Sequence, residues 1–510
     1  MSDNNKTQDV DDNTSAYDVI DPAINLGDNP GDHSGNSLSD TPSQNSNNNF
    51  SDDAAAKQRE SIGTNPYPSG WIGWYSTVLL ALLYWLSLLD RSIISLLVDP
   101  IKKDLGISDV QFGMLHGMAF AVTFSLFGLL AGTIADRFNR RWVVFTSVTI
   151  WSLATAACGV AHNFWQLLLA RVGVGAGEAG LNPSATSMIS DLFPPEKLTL
   201  ALAIYALGAS VGVGTAFLFG GVLVEKVAAT AVVVLPLIGE VKSWQAVFFI
   251  IGLPGLFISL LSFTMPEPSR KGVQRRQTQS SVVSGLFSSY RDLLHFIGSR
   301  KQFFMHHYLG FGLASVCFVG GSAWYPAHMA RAFHWPPSQI GLGLGVALVV
   351  GGILGKLLCG FAIGVLYRRG YKDAQFRWYG GCLLAALPMG VVAGITPNPW
   401  LFLVLLGLFV MLLAPLNAVY IASLNLVTPN ELRGAGVAFF GSTVGLLSLS
   451  LGPILVAVFS DWLFGGDAIG LGLALLFGLV CPVAAVALLT GSGAMHNAVV
   501  AAEQWTRAKN

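Results

Sequence analysis

The chain of 510 residues is too apolar for a soluble protein of its length. Hydrophobic residues make up 53% of it and charged residues 11%, and its mean hydropathy is +0.57. Soluble chains carry about 25% charged residues. The net charge of zero conceals an uneven distribution, because residues 1–70 hold twelve of the 29 acidic residues and three of the 29 basic ones. The composition therefore predicts a membrane protein and excludes a soluble nucleic-acid-binding domain, whose basic residues would cluster on one face.

The N-terminal segment, residues 1–70, is predicted to be a disordered acidic tail. Asp, Asn and Ser dominate it, and too few apolar residues are present to form a core. A signal peptide is not predicted either, because no apolar run follows a basic start.

Twelve apolar runs follow from Trp71 onward, each near the length of about 20 residues that crosses a bilayer as a helix. They predict an all-α membrane protein. Lys and Arg concentrate in the loops after the even-numbered spans, so both termini, including the tail 491–510, are expected in the cytosol. The predicted spans are 72–98, 112–133, 142–162, 164–188, 199–224, 246–265, 302–330, 338–366, 376–396, 399–425, 434–459 and 468–490.

A Gly-rich segment that ends in a basic turn occurs twice in the chain. It runs from Gly132 to Arg141 after the second span, and a weaker copy runs from Gly360 to Arg369 after the eighth. The spacing is nearly half of the membrane region, which predicts two six-helix halves in the parallel-repeat arrangement of many secondary transporters. The predicted parts are the first half 71–265, the cytosolic linker 266–301 and the second half 302–490.

Two motifs look enzymatic but lie inside apolar runs. Gly208-Ala-Ser210-Val-Gly212 matches a nucleophile pattern and the segment 173–177 matches part of a dinucleotide fingerprint, yet neither follows a strand. Small residues that allow membrane helices to pack closely explain both. The sequence has no H-E-x-x-H motif and no P-loop, and its cysteines lack metal-ligand spacing. We predict no enzyme activity, no metal site and no cofactor.

Five charged residues are predicted to lie deep in the membrane, where a charge costs about 2.5–3.5 kcal/mol and usually serves function. They are Asp90, Arg91, Arg171, Glu178 and Lys356. Asp90 and Arg171 fall at similar depth, and Arg171 and Glu178 share one helix face. Asp90 and Glu178 are candidate proton-coupling residues, and the three basic residues with Glu178 are candidate substrate ligands. Two other interpretations stay open: Asp90 and Arg171 only neutralise each other, or Lys356 extends toward the cytosol.

The turn at residues 136–141 is predicted to gate the cytosolic side of the cavity. Its basic residues, Arg137, Arg140 and Arg141, also fit simple positive-inside anchoring. Asp136 does not, and a carboxylate there is better explained as a latch to a neighbouring helix end.

These motifs resemble those of the major facilitator superfamily. The segment Gly132–Arg141 is similar to its signature loop, and the pair Asp90–Arg91 with the segment Arg171–Glu178 resembles its Spinster-like branch. The resemblance covers roughly residues 72–490. It implies a twelve-helix, proton-linked transporter that alternates between inward-open and outward-open states, with substrates such as sphingosine-1-phosphate and lysophospholipids.

The resemblance also assigns roles to single residues. Asp90 is implied as the proton-sensitive acid, Arg91 and Glu178 as cavity residues, and Arg171 as the basic partner. We therefore predict a monomeric, proton-coupled secondary transporter of an amphipathic anionic or zwitterionic lipid, such as a lysophospholipid. Its expected location is the bacterial inner membrane, and its expected partners are membrane lipids, the substrate and protons, but not nucleic acid.

Two alternatives remain open at this point. The first is a carrier of small organic anions in which Lys356 anchors the substrate from the second half. The second is a non-transporting membrane receptor or scaffold that uses the acidic tail to bind a partner. For a lipid, the second half offers an apolar wall with Tyr325 and Tyr420 as its rim.

Overall fold

A computed structural model describes residue 68 and residues 70–230, 232–235, 239–270, 282–466 and 468–509. The predicted disorder of the N-terminal tail lies outside the described residues. Within them the chain is almost entirely helical, which confirms the predicted all-α membrane fold. The long helices are α1 (Gly70–Ile93), α2 (Asp109–Gly113, the π-helical turn Met114–Met118 and Ala119–Arg137), α3 (Arg140–Cys158), α4 (Phe164–Glu178 and Leu181–Leu192), α5 (Pro195–Ala228), α6 (Ser243–Leu260), α7 (Lys301–Phe333), α8 (Pro337–Arg368), α9 (Ala374–Ile395), α10 (Pro399–Leu413 and Leu416–Val427), α11 (Asn430–Val458) and α12 (Ile469–Thr490).

Eleven helices in the described chain are long and apolar enough to cross a membrane. The remaining one is α4, which has two segments and carries Arg171 and Glu178. Its break at residues 179–180 follows from Pro183, which lacks an N–H and whose ring clashes with the carbonyl four residues earlier. The Asn163 side chain caps the first segment by accepting a hydrogen bond from the Gln166 N–H.

Smaller elements occur where the sequence predicted none. A short helix, Val98–Leu105, follows α1, and the antiparallel strands β1 (Val232–Leu235) and β2 (Gly239–Lys242) connect α5 to α6. The predicted linker 266–301 contains the helix Val282–Ser299, and the predicted C-terminal tail contains the helix Ser492–Lys509.

The long helices form two bundles, α1–α6 and α7–α12. The main contacts between the bundles join α2 to α11 and α5 to α8. We call the face where α1 and α7 begin the tail face, and the face where they end the far face. The tail face is the one predicted to be cytosolic.

The bundles touch each other at the far face. A Cβ on Gly117 of α2 would lie 1.9 Å from the Leu449 carbonyl oxygen of α11. On α5 and α8, a Cβ on Gly221 would lie 2.3 Å from the Pro337 carbonyl oxygen, and one on Gly345 would lie 2.7 Å from the Gly214 carbonyl oxygen. Only glycine allows backbones to approach this closely.

The bundles separate toward the tail face. Gly128 and Gly132 continue the stripe of α2 that contains Gly117, and Gly352 continues the stripe of α8 that contains Gly345. Apart from the adjoining part of the same helix, no described atom lies within 4 Å of a Cβ placed on any of these three residues. The space between the bundles is therefore closed at the far face and widens toward the tail face.

Candidate functional site

The site is assembled on α4, whose glycines let it pack closely between α2 and α3. A Cβ on Gly175 would lie 2.4 Å from the Phe120 carbonyl oxygen, and one on Gly177 would lie 2.5 Å from the Trp151 nitrogen. The Thr123 hydroxyl also donates to the Val172 carbonyl at 2.9 Å. The glycines of α4 therefore allow close helix packing. This packing places Arg171 and Glu178 of α4 against α1.

Asp90 and Arg171 form a loose pair in the interior of the first half. Both side chains are fully buried, and Arg171 Nη1 lies 3.9 Å from Asp90 Oδ1. The Thr155 hydroxyl donates to the other oxygen, Asp90 Oδ2. Asp90 Oδ1 and the Nε and Nη1 atoms of Arg171 have no hydrogen-bond partner in the described chain. In the described chain, the Thr155 hydroxyl is therefore the one close hydrogen-bond donor to the Asp90 carboxylate.

Arg91 and Glu178 form a tight pair next to it. Arg91 Nε and Nη2 lie 2.6 and 2.5 Å from Glu178 Oε2, and the Ser87 hydroxyl donates to the same oxygen at 2.6 Å. The Arg91 guanidinium lies over the rings of Phe120 and Phe124, with its carbon 4.5 and 4.7 Å from their centroids. The Arg91 side chain is 23% exposed and that of Glu178 is 1% exposed. Arg91 is therefore the member of the pair that a solute can reach.

These four residues together make one charge array of two carboxylates and two guanidinium groups. The sequence predicts all four charged residues of the array but not the hydroxyl residues Ser87 and Thr155, which donate to its carboxylates. Hydroxyl side chains are common in membrane helices and usually bond to their own backbone, so no sequence pattern marks these two.

The candidate ligands of the second half lie in different surroundings. Lys356 is exposed and lies on the stripe of α8 that contains Gly345 and Gly352, where α8 separates from α5. Tyr420 lines a pocket of about 80 Å³ between α7, α10 and α11. Tyr325 is 2% exposed and packs against Phe402 in the core of the second half, so the structure does not bring it to the cavity wall.

The basic turn at the tail face connects helices of the first half to one another. Arg140 is buried and contacts Asp191 Oδ2 at 2.5 Å, Glu267 Oε1 at 2.9 Å and the Pro268 carbonyl at 2.7 Å. Arg141 donates to the Met265 carbonyl at 3.1 Å. These contacts brace α3 against the ends of α4 and α6.

The other two predicted gating residues are Arg137 and Asp136. The Arg137 side chain is exposed. The side chain of Asp136 lies outside what the structure describes, and its latch stays a prediction.

A cluster of charges that sequence analysis missed joins the two halves at the far face. Arg331, in the last turn of α7, donates through Nε and Nη2 to Asp99 Oδ1 at 2.9 and 2.7 Å. It also donates through Nη1 and Nη2 to Asp109 Oδ2 and Oδ1 at 2.9 and 3.0 Å. Lys102 contacts Asp109 as well. We call Arg331, Asp99, Asp109 and Lys102 the far-face cluster. Arg331 lies more than 200 residues from Asp99 and Asp109 along the chain, so no local pattern indicates this pairing.

Known proteins are similar to this chain in sequence. A family model described as Major Facilitator Superfamily matches residues 80–453. An MFS-type efflux pump of Mycolicibacterium smegmatis is 27% identical over 421 residues, 81% of this chain and 91% of that protein. The cis,cis-muconate transport protein of Acinetobacter baylyi is 25% identical over 391 residues, 75% of this chain and 86% of that protein.

One solved structure is similar to this chain over most of its length. A bacterial homolog of the human lysosomal transporter Spinster, in an inward-facing and unoccupied conformation, is 25% identical, with a TM-score of 0.67 over 85% of this chain and 98% of that chain. The match to the family model spans well over half of the chain. The chain therefore belongs to the major facilitator superfamily of transporters and is Spinster-like.

Proposed function

We propose that this transporter couples substrate movement to protons through Asp90, by alternating access between the two faces. The observation that carries the proposal is the difference between the two buried pairs. Glu178 accepts two close hydrogen bonds, from Arg91 Nε and the Ser87 hydroxyl, and lies 2.5 Å from Arg91 Nη2 in an ion pair, whereas Asp90 has one hydroxyl donor and a guanidinium 3.9 Å away. Protonating Asp90 therefore breaks fewer contacts than protonating Glu178.

The charge array explains how a proton and an anion favour each other's binding. With both carboxylates ionised, the array has no net charge. A proton on Asp90 leaves one net positive charge, and Arg91 presents that charge to the cavity. An anionic group bound at Arg91 in turn stabilises the protonated array, because coupling between two binding events is reciprocal.

We further propose that the substrate is an amphipathic anion or zwitterion such as a lysophospholipid. Phe311, Phe440 and Val444 line the small pocket beside Tyr420 and give the second half an apolar surface that suits part of an acyl chain. The separation of α5 from α8 toward the tail face offers that chain a route from the membrane.

A specific observation favours the second candidate, a small organic anion. Lys356 is exposed where α8 separates from α5, and a small dianion needs a cation from each half. The muconate transport protein among the relatives supports the same class. In a non-transporting receptor, the buried charge array would have no role. The same holds for the contact of the bundles at the far face and their separation toward the tail face.

The test is uptake into proteoliposomes with and without a pH gradient. The substrate panel contains lysophosphatidylethanolamine, lysophosphatidylglycerol, galactonate and muconate. We expect a pH gradient to drive accumulation of a lysophospholipid. Accumulation of galactonate or muconate alone would select the second candidate, and no pH-dependent accumulation of any of the four would contradict proton coupling.

Substitutions at two cations separate the two substrate classes. Lys356→Ala is expected to leave lysophospholipid uptake within a few-fold of wild type, whereas Arg91→Gln is expected to abolish it because the head group loses its cation. Both substitutions are expected to be severe for a small dianion. The double variant Arg91→Gln/Glu178→Gln removes both charges of the pair and controls for misfolding caused by an unpaired Glu178. Equal damage from Lys356→Ala and Arg91→Gln would contradict the lipid assignment.

A further inference from the structure

A separate pocket lies on the outside of the first half, at the tail face. It has a volume of about 540 Å³ and lies between the start of α1, the start of α3 and the turn Leu261–Thr264 after α6. Trp71 and Tyr75 form one wall and Phe263 forms the other. The Tyr75 hydroxyl is 2.6 Å from the Thr264 hydroxyl, which ties the two walls together.

Arg141 supplies the only charge among the lining residues of this pocket. Its guanidinium donates to one neutral acceptor, the Met265 carbonyl, and its buried Nε–H has no partner in the described chain. Glu267 lies nearby, but its carboxylate bonds to Arg140 and to the Arg141 backbone N–H. Asp191, at the end of α4, likewise forms an ion pair with Arg140. A buried donor without a partner is costly, so the pocket favours an anion.

The surface below the pocket is apolar and faces outward. Along α1, Val78 and Leu82 continue the stripe of Trp71 and Tyr75, and their side chains are 58% and 41% exposed. Along α6, Phe257 and Leu260 are 74% and 55% exposed. Trp and Tyr side chains collect at the level of lipid head groups. The pocket is therefore at head-group depth, with exposed apolar side chains of α1 and α6 below it at the depth of acyl chains.

From this combination we infer that the pocket binds an anionic phospholipid of the surrounding leaflet, with its phosphate on Arg141 and its acyl chains along α1 and α6. A guanidinium and a phosphate form strong charge-assisted hydrogen bonds. A free anion would gain nothing from the exposed apolar side chains below the pocket, and the acidic residues 1–66 of this chain have no acyl chains to place against them. The site lies outside the space between the bundles, so the inference does not depend on the proposed function.

The first test measures lipid binding by native mass spectrometry of the full-length protein released from phosphatidylglycerol nanodiscs. Arg141→Gln is expected to weaken retention of one phosphatidylglycerol by about tenfold. Arg141→Lys, which keeps the charge, should retain part of the binding. The matched control is Arg291→Gln on the helix Val282–Ser299, because that side chain is 82% exposed and does not line the pocket. Equal retention by Arg141→Gln and Arg291→Gln would overturn the inference.

The second test identifies the occupant directly. Benzoylphenylalanine in place of Trp71 should form a photo-adduct whose mass corresponds to a phospholipid. An adduct to a peptide from residues 1–66 would instead make the acidic tail the occupant. In detergent, phosphatidylglycerol should raise the melting temperature of the wild type and inorganic phosphate should not. An equal, Arg141-dependent rise with inorganic phosphate alone would show a free-anion site. Either of these two results would overturn the lipid assignment.

Discussion

Asp90→Asn is expected to abolish substrate accumulation driven by a pH gradient while leaving substrate exchange intact. Asparagine keeps the size of the side chain and can still bond to Thr155, but it cannot gain or lose a proton. The charge array then permanently carries the net charge of its protonated state. Alternating access therefore continues without proton coupling. The measurement compares pH-driven accumulation with exchange of labelled for unlabelled substrate in the same proteoliposomes.

Two further variants separate coupling from folding in this experiment. Asp292→Asn, on a side chain 62% exposed, is the matched control and should accumulate substrate normally. Removing one partner of a buried ion pair can lower the free energy of unfolding by about 3–5 kcal/mol. If the single variant unfolds for this reason, the double variant Asp90→Asn/Arg171→Gln replaces it in the experiment. It should recover thermal stability without recovering accumulation. Normal accumulation by Asp90→Asn would rule out Asp90 as the coupling acid.

Arg331→Gln is expected to shift the population toward a conformation that opens at the far face. The substitution removes the cation that holds Asp99 and Asp109 of the first half against α7 of the second. Asp109 is 1% exposed, so solvent does not replace the lost partner well. We expect a change of about tenfold or more in the ratio of the two conformations, which is about 1.4 kcal/mol.

Spin labels across the far face measure that change as a distance. Lys103→Cys and Gln339→Cys place one exposed label on each half, and all five native cysteines are buried. The matched control is Lys242→Gln, which removes a contact to Asp104 at the same face but within the first half. Arg331→Gln should lengthen the distance distribution and Lys242→Gln should not. Identical distributions for the two variants would mean that the far-face cluster does not hold the halves together.

The sequence predicts the fold because the signals for it are local. Apolar runs of membrane length and the alternation of basic loops indicate each helix without reference to its neighbours. The four charges of the array are also visible locally, since a charge inside an apolar run is conspicuous wherever it lies. Their pairing is partly predictable, because helix depth brings Asp90 level with Arg171.

Contacts between distant elements could not be predicted in the same way. Arg331 stands at a helix end, where a basic residue is ordinary, and its two partners belong to the other half of the chain. The predicted position of Tyr325 at the cavity rim was wrong for a related reason. The helices of the second half are apolar on every face, so the sequence does not show which face lines the cavity. The face that carries Tyr325 packs into the bundle core. The pocket at Arg141 likewise depends on α1 and α6 lying side by side.

The glycines that contact nothing in this conformation bear on the energy of the whole cycle. A glycine in a helix interior is about 0.5–1 kcal/mol less favourable than alanine. This penalty falls on five glycines at the separated ends of α2, α8 and α11, where no described atom beyond the adjoining part of the same helix lies within 4 Å of a Cβ position: Gly128, Gly132, Gly352, Gly360 and Gly434. In a conformation with the bundles joined at the tail face, close backbone contacts would offset the same penalty. The chain thus forgoes stability in the conformation described here, which would bring the two conformations closer in free energy, so that under the proposed coupling the binding of one proton would be enough to shift their balance.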